Sequence, residues 1–209
     1  MRLLLLGATG LVGGHVLERA LLDPRITEVI APVRRTLARR EKLHATKVDF
    51  ERLPETADWW AADAVICALG TTRRKAGSAE AFRHVDHDIT LAALRLASVH
   101  GTPTLALVSA AGADARSAFL YSRVKGETEN DVAALGFRSL TILRPGLIGG
   151  KRSERRLLER TAVVLTRAVQ PMLPTAWRIS PAVRIAARLV EAAVEGAPGL
   201  QVVGSSELA

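Results

Sequence analysis

Apolar positions along the chain follow two alternating rhythms. Leu3–Leu6 is an unbroken apolar run, too short for a helix and suited to a buried strand. Residues 10–22 then change period: Val12, Val16 and Ala20 form one stripe beside Leu17 and Leu21, and the pattern stops at Asp23-Pro24, as an amphipathic helix should. Further short runs predict strands at 28–33, 46–50, 64–69, 104–109 and 140–143, with residues 34–42 a basic loop or helical turn. Helical spacing returns at 79–100, with Ser78 placed to cap it, and at 118–135. Beyond Pro145-Gly146 the pattern is mainly helical, at 154–170 and 181–195, before a last short strand at 200–203. Buried strands alternating with helices predict an α/β fold with a doubly wound parallel sheet. Residues 1–150 form its core. Residues 151–209 are too few for a second domain, and are expected to form a small helical substrate or lid lobe of the same domain, over the carboxyl ends of the strands.

Composition narrows this further. The chain has 209 residues, of which 48% are hydrophobic and 24% charged, enough apolar content for one folded domain and too much for a disordered chain. A single cysteine, Cys67, excludes an intramolecular disulfide framework and a cysteine-rich zinc site. No uninterrupted apolar stretch approaches the roughly 20 residues of a membrane span, so a soluble, cytoplasmic protein is expected. The net charge of +8 comes mostly from arginine, 24 of 29 basic residues, scattered along the chain with few aromatics among them. That spread argues against nucleic acid and suits an anionic small molecule, or nothing beyond solubility.

The first strand runs straight into Gly7-Ala8-Thr9-Gly10-Leu11-Val12-Gly13. Glycine dihedrals allow a tight turn, a missing side chain lets backbone approach a pyrophosphate, and another lets helix pack on strand. The following helix aims its free N–H groups at the phosphates. This context predicts a Rossmann-type dinucleotide site with strand order 3-2-1-4-5-6. An acidic residue at the end of the second strand would hold the ribose of NAD. Here that strand ends in Arg34-Arg35, whose forked donors match a 2′-phosphate, which favours NADP over NAD. Asp49 is placed to reach the adenine edge.

Tyr121, the one tyrosine, is followed four residues later by Lys125, on the same helix face. An adjacent ammonium is expected to lower the phenol's pKa and make it a usable proton donor, and the same lysine can hold the nicotinamide ribose. Ser109, at a strand tip, is placed to hold a substrate carbonyl. His15, His84 and His87 read as solvated or locally bonded, and Cys67 as a small buried hydrophobe. Arg73, Arg74 and Lys75 suit either an anionic substrate or a solvated basic loop. The helices at 154–170 and 181–195 offer a face for a homodimer, and Met172 and Trp177 are expected to pack at the pocket.

Together, the glycine turn, the strand-end serine and Tyr-x-x-x-Lys resemble the short-chain dehydrogenase/reductase family. Cys67-Ala68-Leu69-Gly70-Thr71-Thr72, Lys75-Ala76-Gly77, Val85-Asp86-His87-Asp88, the run from Tyr121 to Glu127 and Leu143-Arg144-Pro145-Gly146-Leu147 narrow the resemblance to its atypical subgroup, typified by the Tat-interacting oxidoreductase. The resemblance implies an NADPH-dependent oxidoreductase acting on a small carbonyl or conjugated substrate. NADPH would contact Thr9 to Val12, Arg34, Arg35, Leu69, Gly70, Tyr121 and Lys125. The turn at Pro145 and Ile148 would cover the nicotinamide, and Arg156, or Arg155 beside it, would reach a phosphate. Ser109, Tyr121 and Lys125 would be catalytic. Two departures stand out: Asp86 replaces an asparagine common in the wider superfamily, and Ala110 replaces a frequent second serine. These leave open a redox-sensing NADPH-binding protein without turnover, with sugar-nucleotide epimerisation behind it.

Overall fold

The computed structural model describes residues 1–149 and 179–209. Seven parallel strands form its main sheet: β1 (Arg2–Leu6), β2 (Glu28–Val33), β3 (Leu43–Lys47), β4 (Ala64–Cys67), β5 (Thr104–Val108), β6 (Ser139–Leu143) and, after the short pair described below, β9 (Gly199–Val203). Their spatial order is β3-β2-β1-β4-β5-β6-β9, the expected Rossmann order with one strand added beyond β6. The order reverses between β1 and β4, which is where such sheets open a crevice at the carboxyl ends of their strands.

Alternation along each buried strand decides which helix it meets. Leu3 and Leu5 of β1 face α1 (Leu11–Leu22), while Leu4 and Leu6 face the opposite side of the sheet. On that opposite side lie α4 (Thr90–Val99) and α5 (Leu120–Ala133), whose Leu94 and Val132 enter the second core. The expected helix at 79–100 is present, but it is built in three pieces: α3 (Ala79–Arg83), a π-helical segment at His84–Ile89, and α4. Ser78 caps it as expected, its Oγ accepting from the Ala81 N–H at 3.0 Å. A short helix, α2 (Arg73–Ala76), was not anticipated, and stands where a basic loop was an equal expectation.

Two expectations need correction. The third strand lies at Leu43–Lys47 rather than 46–50, because Leu43 pairs with Val29 and is the only residue of that edge strand buried in the core. The C-terminal part is helical as expected, but α6 (Ala182–Glu195) does not cap the strand ends. It packs beside α1 on the sheet face, with Ile185, Ala186, Leu189 and Val190 buried in the same core as Val16 and Ala20. Its strand β9 pairs with β6, and α7 (Ser205–Leu208) closes the chain with Leu208 buried. A small parallel pair, β7 (Leu147–Gly149) and β8 (Ile179–Pro181), branches off after β6. The expected helix at 154–170, Arg155, Arg156, Met172 and Trp177 lie outside the described residues. Among the described residues no helix is long and apolar enough to cross a membrane.

Candidate active site

The turn after β1 is shaped by close approach. Gly7 has φ +88°, and a Cβ there would stand 2.5 Å from the Ala68 carbonyl oxygen leaving β4. Such a φ and such a distance both demand glycine. Gly13, one turn into α1, is held as tightly, since a Cβ would meet the Gly7 carbonyl oxygen at 2.0 Å. The Gly10 N–H donates to that same oxygen at 2.9 Å, so the turn folds back under the start of α1. The helix therefore opens directly above the crevice between β1 and β4, with its first N–H groups free for an anion.

That crevice is a cleft of about 650 Å³, within the range of cofactor pockets. Gly7, Thr9 and Gly10 line one end, Arg34 and Asp49 the side beyond β2 and β3, and Leu69 and Gly70 the side beyond β4. All seven were expected there. Leu11, Val12 and Arg35, expected with them, do not line it: Val12 is turned into the core and Arg35 stands exposed. The cleft also takes in Glu51 and Thr71, which have no site role in the sequence reading, and Lys75, for which an anionic substrate and a solvated basic loop are equal expectations. Lys75 comes from α2, so a second cation joins Arg34 on the wall. Glu51 is paired with His84 of the π segment, Nε2 to Oε2 at 2.9 Å, and this pair links the loop after β3 to the opposite wall.

Deeper in, the chemistry becomes buried. Lys125 of α5 points its Nζ at Asp86 Oδ1, 2.7 Å away, and the Asp86 side chain is wholly buried. The other oxygen, Oδ2, accepts from the Thr71 N–H at 2.7 Å. Asp86 sits in the π segment, where an extra residue per turn frees carbonyl groups from the helical ladder. Two hydroxyls take them up: Thr90 Oγ1 donates to the Val85 carbonyl at 3.1 Å and Thr128 Oγ1 to the Asp86 carbonyl at 3.3 Å. Gly70, with φ +154°, lies over the ion pair: a Cβ there would be 3.2 Å from Asp86 Oδ1 and 3.7 Å from Lys125 Nζ. The pair thus sits directly beneath the cleft wall.

Tyr121 stands one turn before Lys125, half-exposed and stacked on Phe82 of α3 with ring centroids 5.6 Å apart. Ser109, at the tip of β5, is buried, and its Oγ has no hydrogen-bond partner among the described residues. An unpaired buried hydroxyl is costly, and a substrate oxygen would satisfy it. The loop after β5 is pressed against α5 at Gly126, where a Cβ would meet the Ala115 nitrogen at 2.1 Å. That contact fixes α5, with its tyrosine and lysine, against the loop that follows Ser109. Pro145 is buried and accepts from the Ala111 N–H at 2.8 Å, while Ile148 lies on β7, 38% exposed.

The charges here differ from the simple expectation. Burial works against the Lys125 ammonium, but the charge and hydrogen bond of Asp86, the foremost of the groups opposing it, hold its pKa above the ordinary lysine value. For Tyr121, burial raises the pKa, Lys125 lowers it and Asp86 raises it again, so the phenol ends above its usual range. The expected depression by Lys125 is therefore overridden. Burial pushes the Cys67 thiol, also close by on β4, up to about 11, which keeps it protonated and inert. His87, expected to be solvated or locally bonded, is buried and locally bonded: Nδ1 meets Asp88 and Nε2 meets Asp131, each at 2.7 Å.

Comparison with known proteins agrees with this geometry. Residues 7–169 match the model of a family described as NAD(P)H-binding. A protein of Emericella nidulans named "Protein fmp52, mitochondrial" is 39% identical over 166 residues, covering 76% of this chain and 71% of that one. Fungal relatives from Aspergillus fumigatus and Candida albicans carry the same name, and these names overturn the expected cytoplasmic location. Among solved structures, MoeE5 in complex with UDP-glucuronic acid and NAD superposes with a TM-score of 0.75 at 15% identity, over 98% of this chain and 76% of that one. A short chain dehydrogenase family protein from Francisella tularensis superposes with a TM-score of 0.69 at 13% identity, covering 99% and 98% of the two chains. With its glycine turn, its β1/β4 crevice and a match over most of its length, the chain belongs to the NAD(P)H-binding family.

Proposed function

We propose that the protein is an NADPH-dependent oxidoreductase that reduces a small carbonyl or conjugated substrate. The observation that carries this reading is the junction of two structures at Gly70: a glycine-cradled cleft on one side and a buried Asp86–Lys125 pair below it, on the helix that carries Tyr121. The residues present fit a dinucleotide, because Gly10 and the opening of α1 leave room and free N–H groups for a pyrophosphate. Arg34 and Lys75 supply two cations on the cleft wall for a 2′-phosphate, and Asp49 can accept from adenine. Bound NADPH would supply the hydride.

The remaining chemistry falls to the chain itself. The Ser109 hydroxyl, without a partner among the described residues, donates to the substrate oxygen and orients it. Tyr121, held as a phenol, gives its proton to that oxygen as the alcohol forms, and the Lys125 ammonium stabilises the phenolate left behind. A pyrophosphate-bearing ligand and a carbonyl are thus served by separate groups, which is why binding and turnover can be tested separately.

The test is a titration with NADPH and NADH followed by nicotinamide fluorescence. NADPH is expected to bind at least about tenfold more tightly, about 1.4 kcal/mol, and Arg34→Ala should erase that preference. Tyr121→Phe should abolish NADPH oxidation by a quinone and aldehyde panel while NADPH affinity stays within a few-fold. Equal affinity for the two nucleotides would remove the cofactor preference, and full turnover by Tyr121→Phe would remove the proton donor.

A further inference from the structure

A buried lysine on its own does not stay charged, since desolvation disfavours the ammonium and pushes its pKa down. Lys125 is buried, yet the groups that face it are arranged to hold its proton. From the π segment comes Asp86 at 2.7 Å, from β4 the neutral Cys67, and from its own helix the Tyr121 phenol. Of these only Asp86 carries a negative charge. Its own position leaves it no freedom to turn away, because Oδ2 is tied to the Thr71 N–H and its backbone carbonyl to Thr128. An asparagine in this place would keep the Thr71 hydrogen bond and lose the charge.

We propose that Asp86 is a positioning residue: its carboxylate is the permanent counter-ion that keeps Lys125 charged and pinned beneath Gly70 and, by offsetting the field of that ammonium, leaves Tyr121 a phenol, a proton donor suited to reduction. The π segment is what makes this possible. Inserted into a helix, it turns Asp86 toward α5, and the two threonine hydroxyls absorb the backbone groups it frees. The consequence for the reaction is directional. Reduction breaks the phenol O–H bond and forms an O–H bond on the substrate oxygen, while the hydride forms the new C–H bond. A site whose resting tyrosine is protonated is loaded for that step. The oxidising direction would need the phenolate first. The upward displacement of both the Lys125 and the Tyr121 pKa agrees with this arrangement.

This inference rests on reading Tyr121 and Lys125 as the proton-handling pair, and its test needs no nucleotide. The chain has five lysines, so NMR of protein labelled at lysine Nζ resolves Lys125, assigned by its loss in Lys125→Met. In the native protein Lys125 is expected to hold its proton to higher pH than the four other lysines. In Asp86→Asn it is expected to lose it at lower pH than they do, and Asp86→Glu is expected to restore the native order. Lys125 titrating with or above the others in Asp86→Asn would overturn the proposal. Should that variant fail to fold, the native titration alone decides, because a Lys125 that titrates with or below the others is no longer held by Asp86. Tyr121 is the only tyrosine, so near-ultraviolet phenolate absorbance reads it directly. Phenolate appearing at or below the ordinary value of about 10 would also overturn it. Absence of NADPH binding with the native lysine order intact would instead overturn the cofactor reading and leave Asp86 its role.

Discussion

The two faces of the sheet are built from the same strands and do different work. The α1/α6 face is aliphatic: its core joins Leu3, Leu5, Val16, Ala20, Ile185, Leu189 and Val190, and among the described residues no charged side chain is buried in it. The α4/α5 face has its own aliphatic core under Leu94 and Val132, but its helices also bury Asp86, His87, Lys125 and Glu129. Buried charge costs stability unless it is paired and hydrogen-bonded. Here the charges are paired, Asp86 with Lys125 and Glu129 with Arg144 at 2.5 Å, and the His87 ring is bonded to Asp88 and Asp131. One face supplies stability. The other spends some of it to hold charges still beside the cleft.

The largest effect that would break this contrast is expected on the aliphatic face. Leu189→Ala empties a fully buried position between α1 and the sheet. It should cost about 2–5 kcal/mol in urea-induced unfolding, with NADPH affinity of the folded fraction unchanged. A loss of affinity comparable to the loss of stability would mean that the aliphatic face also shapes the site.

Glu129→Gln probes the other face with a smaller loss. Arg144 grips both Glu129 oxygens through Nε and Nη2, tying the Arg144-Pro145-Gly146 turn to α5. Hydrogen bonds to charged groups contribute roughly 1.5–3 kcal/mol, and the partial exposure of Arg144 puts the expected loss at the low end. The signature that separates it from Leu189→Ala is salt. The Glu129→Gln deficit should shrink at high ionic strength, since a partly exposed pair is partly screened, whereas the Leu189→Ala deficit should not. A salt-independent deficit would show that Glu129 acts through packing.

The same contrast explains what the sequence made legible. The aliphatic face is readable because its strands are short unbroken apolar runs and its helices repeat at 3.6: the expected β2 matches residue for residue, and α1 to within one residue of its start. The glycine turn was readable because Gly7 and Gly13 are fixed by local clashes that their own spacing announces. β3 was misplaced because an edge strand with only Leu43 in the core carries almost no alternation. The π segment was invisible, since one added residue leaves the apolar spacing of a long helix nearly intact. Its product, the Asp86–Lys125 pair across 39 residues of chain, was therefore seen only as an unusual aspartate. Glu51 is illegible and Lys75 ambiguous between an anion contact and a solvated loop for a related reason: they reach the cleft from a loop and from a four-residue helix, neither of which has a period to read.

The smallest expected effect lies where the charged face meets the cleft, at the His84–Glu51 pair. The Glu51 hydrogen bond raises the His84 pKa above its ordinary value, with Asp88 adding to it. A histidine raised on folding contributes stability that is fully present below its unfolded pKa, about 6.5, and is lost as pH rises through the raised value. Because both side chains are substantially exposed, the contribution is small and easily screened. Unfolding midpoints of the native protein and His84→Ala should therefore differ at acidic pH and converge once pH passes the raised value. NADPH affinity should follow the same course, since the pair joins the loop after β3 to the wall at Val85 and Ile89 across the cleft. Affinity unaffected by His84→Ala at every pH, with the stability difference still present, would confine this pair to the frame and leave the charges of Arg34 and Lys75 on the cleft wall to hold the nucleotide.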